Sequence, residues 1–206
     1  MQMSQRRREY AACRELAEAV MADGEQYGFR DFTLNARAHL EWVGVVDGDP
    51  NWAFEALDKT LAELRTRRLE HIRPQTVSFF VQACLASRRW SDGIAAAEEG
   101  LIDIEKTGAA AFAAELNRLK GELLVASRDR AFEAQDAFRE AIRIARRQQA
   151  KWHELRATTS LARLLRDIDR RDEARAVLTE IYNWFTEGFD TADLKDARAL
   201  LDELSR

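Results

Sequence analysis

The residues best equipped for chemistry in this chain are arginines. Arg156, Arg163 and Arg170 stand seven apart with Arg166 between them, a spacing that puts all four on one stripe of a helix. Between Arg139 and Arg171 there are ten basic and four acidic residues, a local charge of +6 in a chain whose net charge is −4. The remainder therefore carries −10. Guanidinium forks fit carboxylates and phosphates, so the stripe predicts an anionic partner, either an acidic peptide or a nucleotide. The competing reading is a solvated face paired along the helix and with Glu154, Asp167 and Asp169.

No comparable pattern points to catalysis. His39, His71 and His153 lie far apart, without HExxH spacing and without a cysteine at ligand distance. His153 opens a helix and is expected at the surface. Asp47, Gly48 and Asp49 resemble the start of a calcium loop, but the closing glutamate is missing, which leaves a tight turn before Pro50. The Ser and Thr residues form no nucleophile elbow, and there is no GxxxxGK[ST] phosphate loop. Cys13 and Cys84 read as buried reduced thiols in separate helices. The expectation is a protein that is not an enzyme and holds no cofactor or metal.

These side chains must be positioned by helices. The 206 residues include thirty-four Ala and twenty-two Leu against 2 Pro and 9 Gly, and few breakers among many helix formers predict an all-α fold. A β sandwich or barrel would need a turn signal about every 8–12 residues. No apolar run approaches the ~20 residues that span a bilayer, and Glu9, Arg14, Glu15 and Glu18 interrupt what would be a signal-peptide core. A cytoplasmic protein with no membrane contact is expected. Its mildly acidic balance, with a pI near 5.6, makes nucleic acid an unlikely partner.

Four segments share one pattern of helix, polar turn and second helix. The second helices open on small residues, Ala53, Gly93, Ala134 and Ala174, spaced by 40, 41 and 40. The joints between segments, around Gly28, Arg68, Gly108 and Ala150, keep the same register. Gly28 and Gly108 suit the left-handed position past a helix end. Gly121 and Ala162 permit close helix crossing, and apolar residues at three- and four-residue steps, such as Leu57, Leu61 and Leu64, supply one buried face. The period predicts a right-handed α-α superhelix, a single solenoid domain over 1–206, with hairpins at 29–68, 71–108, 110–149 and 151–187. An unpaired N-terminal helix at 5–26 is a half-repeat, since Cys13 lies forty before Ala53. A helix at 190–205 caps the other end, with Asp190 or Thr191 as its N-cap. Gly188 is expected to end the helix that holds Tyr182, Trp184 and Phe185. These aromatics, with Phe189, are expected to serve the capping of the last hairpin, the other reading being an aromatic peptide-binding patch.

Leu161-Ala162, Asp172-Glu173-Ala174 with Leu178, and Glu133-Ala134 with Phe138 resemble the tetratricopeptide (TPR) repeat in its ~40-residue form. The first two repeats depart from it, with Glu41 and Val81 at the small first-helix site. A second resemblance covers roughly the last hundred residues, above all IYNWFTEGFDTADLKDA. It is to the C-terminal repeats of bacterial signalling proteins that join a class III cyclase or DNA-binding module to a STAND-type ATPase. The catalytic modules of those proteins have no counterpart in this sequence.

The resemblance implies a scaffold whose first helices line a concave groove. Registering each first helix on the pattern gives Trp42, Gln82, Arg118, Glu122, Arg156, Arg163 and Arg166 as candidate partner-binding residues. The Lys, Asn and Arg set of the peptide-carboxylate clamp is not present. The leading expectation is a non-catalytic module that binds a protein or peptide, an acidic one at the arginine stripe, as the regulatory part of a bacterial signalling protein. The alternatives are homodimerisation through the N-terminal helix, whose Tyr10, Cys13, Leu16, Ala17, Val20 and Met21 form an apolar face, and binding of a nucleotide or other anionic ligand through Arg156, Arg163 and Arg166.

Overall fold

The computed structural model describes residues 9–128 and 130–206. The expected helix start at 5–8 lies outside the described residues. Among the described residues there are ten α-helices and no strands: α1 (Tyr10–Tyr27), α2 (Arg30–Val46), α3 (Pro50–Arg67), α4 (Arg73–Ala86), α5 (Trp90–Thr107), α6 (Ala113–Ala126), α7 (Ala131–Arg147), α8 (Lys151–Asp167), α9 (Arg171–Tyr182) and α10 (Ala192–Leu204). A 3-10 turn, Ala110–Phe112, precedes α6. No helix is long and apolar enough to cross a membrane among these residues.

The backbone marks a period of its own. Among the described residues, positive φ occurs at Gly28, Gly48, Arg68, Arg88, Gly108, Arg128, Gln149, Asp169 and Gly188. Successive members stand 20, 20, 20, 20, 20, 21, 20 and 19 apart. Most of them lie where one helix stops and the next begins, in the left-handed turn that satisfies the last carbonyls of a helix. Five of the nine are not glycine, which the local sequence conceals. Gly48 belongs to the tight turn expected before Pro50. Asp49 caps α3, its carboxylate accepting the Trp52 backbone N–H at 2.9 Å, with Pro50 in the first turn.

The chain forms two compact units, one ending at Phe112 and the other starting at Ala113. In the first unit consecutive helices from α1 to α5 pack in turn, and α2 also packs on α4. In the second unit α6 to α10 pack in turn, and α6 also touches α8, and α8 touches α10. The next-but-one contacts thus join helices in the first position of the sequence pattern. The small residues that open the second helices, Ala53, Gly93, Ala134 and Ala174, are all buried. Gly121 does what its size allows: a Cβ there would fall 2.4 Å from the Phe138 ring, so α6 and α7 close to a distance no larger residue permits.

At the C-terminal end, α9 stops at Tyr182, well before Gly188. Trp184 and Phe185 therefore lie in the connection to α10 and not in a helix, a correction to the sequence expectation. Thr191 occupies the N-cap position of α10, but its hydroxyl donates to the Gly188 carbonyl at 2.6 Å instead of accepting from the helix.

Candidate functional site

The second unit buries a charged network between its first-position helices. Arg118 on α6 grips Glu115 with two parallel bonds, Nε to Oε2 at 3.0 Å and Nη2 to Oε1 at 2.8 Å. Its third arm, Nη1, reaches Glu122 Oε1 at 3.1 Å, which also accepts the Ser160 hydroxyl from α8 at 2.6 Å. Arg156 on α8 approaches Glu115 Oε1 at 3.1 Å and Asp193 of α10 at 3.8 Å. His153 stands 3.9 Å from Glu115. Burial opposes the charge on Glu115, but Arg118 and Arg156 outweigh it and hold the carboxyl at about 2. Burial likewise opposes the charge on Arg118, and Glu115 more than compensates, which keeps its pKa above the ordinary value. The network ties α6, α8 and α10 together, and each of its charges has a specific counter-charge.

This arrangement revises the arginine stripe. Arg156 is 15% exposed and committed to Glu115 and Asp193. Arg166 is 27% exposed and bonds Asp167 at 2.9 Å and Glu203 at 3.0 Å. Arg170 bonds Gln135 at 2.9 Å and pairs with Glu173. Arg163 is the half-exposed member on α8, 3.8 Å from Asp196. The chain neutralises its own stripe, with α10 supplying three of the carboxylates: Asp193, Asp196 and Glu203. His153, expected at the surface, has only 10% of its side chain exposed. Arg118 and Glu122 do share a face with Arg156, but Arg118 is buried and turned inward on Glu115.

In the first unit, Trp42 is 3% exposed and belongs to the core, stacked on Phe79 at 5.3 Å between ring centres. Its indole N–H donates to Gln82 Oε1 at 3.1 Å, so the two candidates from neighbouring first helices meet. His39 beside them is fully buried. Gln75 Nε2 can only donate, so the contact at 3.2 Å makes His39 Nε2 an acceptor and leaves the proton on Nδ1, which donates to the Asn35 carbonyl at 2.8 Å. Burial pushes this histidine down, keeping the imidazole neutral.

Glu41 is the second unforeseen group. It is 7% exposed, and Thr60 donates to its Oε1 at 2.9 Å, while Oε2 has no hydrogen-bond partner. Arg37 holds its Nε 3.6 Å from Glu41 Oε1, but it gives hydrogen bonds to Glu63 through Nη2 at 2.5 Å and to Thr60 through Nε at 3.2 Å. Burial pushes the Glu41 carboxyl up to about 7 against the smaller opposing pulls of Thr60 and Arg37. The sequence signal was its position, a glutamate where the repeat pattern has a small residue. The Glu115 network had a weaker signal: the charged residues Arg118 and Arg156 in first helices were visible, but Asp193 lies outside the hairpin register.

Both cysteines are buried thiols. Burial pushes Cys13 up, and Cys84 up to about 12.

No protein-family model matches the chain, and no curated protein matches it in sequence. Its fold is similar to that of BtubC (BKLC) from P. vanneervenii, whose crystal structure superposes with a TM-score of 0.69 at 14% sequence identity, over 96% of this chain and 90% of that one. At that identity the likeness concerns the fold alone. An all-helical chain with this neighbour fits a helical-repeat protein.

Proposed function

We propose that the chain is a tetratricopeptide-like solenoid that binds a protein partner on the faces of its first helices, without chemistry. The observation that carries this reading is the positive-φ residue recurring about every 20 residues from Gly28 to Gly188. Such a backbone supports a two-helix repeat of about forty residues, and within each unit stacked hairpins of that kind set their first helices side by side. Affinity on such a surface comes from many side-chain contacts on a preformed scaffold. Arg163 and Glu122 are the candidates with the most room for a partner, while Trp42, Arg118 and Arg156 support the surface from beneath. A nucleotide-sized anion is less well served, because Arg156, Arg163 and Arg166 each already face a carboxylate. A cytoplasmic role as the regulatory part of a bacterial signalling protein rests on the IYNWFTEGFDTADLKDA resemblance.

Affinity capture with the intact chain and with an Arg163→Glu/Arg166→Glu variant tests the reading. Loss of the same saturable partners, with an unchanged circular dichroism spectrum, supports it. Retention of every partner by the folded variant refutes the assigned face.

A further inference from the structure

The second unit carries a shallow, open cleft of about 430 Å³ beside α10. Tyr182 at the end of α9, Phe189 in the connection and Leu194 make its apolar floor, and Lys195, Arg198 and Asp202 make its rim. Phe189 is 47% exposed. Arg198 shares its charge with Asp202 at 3.1 Å. Lys195 has no carboxylate within ion-pair distance among the described residues. Lys195, Arg198 and Asp202 fall at three- and four-residue steps, so they form one outward ridge.

The first unit presents a surface of the opposite character. On α1 the core side is Cys13, Ala17 and Gly24. Away from it, Ala12, Leu16, Ala19 and Asp23 follow one another at steps of four, three and four, with Glu15 alongside. Leu16 is 45% exposed. The helix carries four carboxylates, Glu15, Glu18, Asp23 and Glu25, and its one cation, Arg14, is taken by Asp47.

We propose that the cleft beside α10 receives α1 of a second copy of this chain. Leu16 would cover the Tyr182, Phe189 and Leu194 floor, and Glu15 and Asp23 would face the Lys195 and Arg198 rim. The rim formed by Lys195, Arg198 and Asp202 carries a net positive charge against the four carboxylates of α1, and Leu16 supplies an exposed apolar side chain for the floor. The contact joins unlike faces, so each copy both gives an α1 and offers a cleft. Its electrostatic part weakens as salt rises. The proposal depends on these two local surfaces and not on the identity of any other partner.

Sedimentation equilibrium of the intact chain at low salt, across a hundredfold concentration range, is the test, with Glu15→Lys/Asp23→Lys and Lys195→Glu/Arg198→Glu as charge-reversed variants. All four positions are exposed, so both variants are expected to fold, with circular dichroism as the check. The wild type is expected to gain mass with concentration, and each variant alone to associate at least tenfold more weakly. An equimolar mixture of the two variants is expected to recover concentration-dependent association with equal amounts of each, because the basic α1 of one fits the acidic cleft of the other and the unaltered acidic α1 fits the unaltered basic cleft. A wild type that stays monomeric overturns the proposal, as does association untouched by either reversal or a mixture that fails to recover it. Those failures leave the partner-binding reading standing, since capture by the Arg163→Glu/Arg166→Glu variant does not depend on self-association.

Discussion

Replacing Glu41 by glutamine should make the stability of this protein less sensitive to pH. In the folded chain the carboxyl is 7% exposed, one oxygen has no partner, and the pKa lies at about 7. In the unfolded chain it returns to its ordinary 4.5. The native state therefore favours the protonated form, and its stability is full below pH 4.5 and is lost as pH rises through 7. At about 1.36 kcal/mol per unit, the rise of about 2.5 units corresponds to a loss of at most about 3.4 kcal/mol above neutrality. Between pH 5 and pH 8 the expected loss is about 2.5 kcal/mol. Glutamine keeps the oxygen that accepts from Thr60 but carries no charge. It places an amide NH₂ where Oε2 stands, at a cost of about 1–3 kcal/mol that does not depend on pH. Urea unfolding of both proteins at pH 5 and pH 8 isolates the charge effect, because the amide cost cancels in the comparison. The gap in unfolding free energy should move in favour of Glu41→Gln by about 2–3 kcal/mol between the two pH values, with unchanged slopes. A gap that stays constant would show that Glu41 is ionised in the fold and would refute this reasoning.

Other perturbations follow from the same packing. Trp42→Ala removes a core indole together with its bond to Gln82 and should cost about 3–5 kcal/mol by urea unfolding. Arg163→Glu, at an open position, should change stability by less than about 0.5 kcal/mol. Arg118→Met strips Glu115 of its main counter-charge and should cost about 3–5 kcal/mol. Arg88→Gly relieves a side chain held at φ 61° and should stabilise the chain by up to about 1 kcal/mol in the same assay. With Cys13 pushed up and Cys84 at about 12, neither thiol should react with a disulfide reagent at pH 8 until urea unfolds the chain.

The helices were legible because the sequence repeats steric requirements that survive without knowledge of contacts. Ala53, Gly93, Ala134 and Ala174 mark where second helices must come close, and all four are buried. Gly121 against Phe138 shows the same requirement from the other side. The end of α9 was misplaced because Gly188 looks like a helix stop, while the chain leaves the helix at Tyr182 without one. Arg68, Arg88, Arg128, Gln149 and Asp169 hid half of the turn periodicity, since nothing in an arginine announces a left-handed backbone. Only three of the four stripe arginines, Arg156, Arg163 and Arg166, lie on α8; Arg170 stands past its end at the N-cap position of α9, a correction to the single-helix stripe. The partners Asp193, Asp196 and Glu203 lie 33 to 37 residues away on α10, where only the tertiary packing of α8 on α10 brings them. His153 was assigned to solvent by its place at a helix start, but Glu115, from another helix, approaches it to 3.9 Å.

A binding role for the first-helix faces is tested most directly by hydrogen exchange of the chain with and without a protein captured by it. Protection on binding should concentrate in α2 and α4, or in α6, α8 and α10, and should leave α3, α5, α7 and α9 unchanged. Protection confined to those second helices, or no change anywhere with a saturating partner, would contradict it.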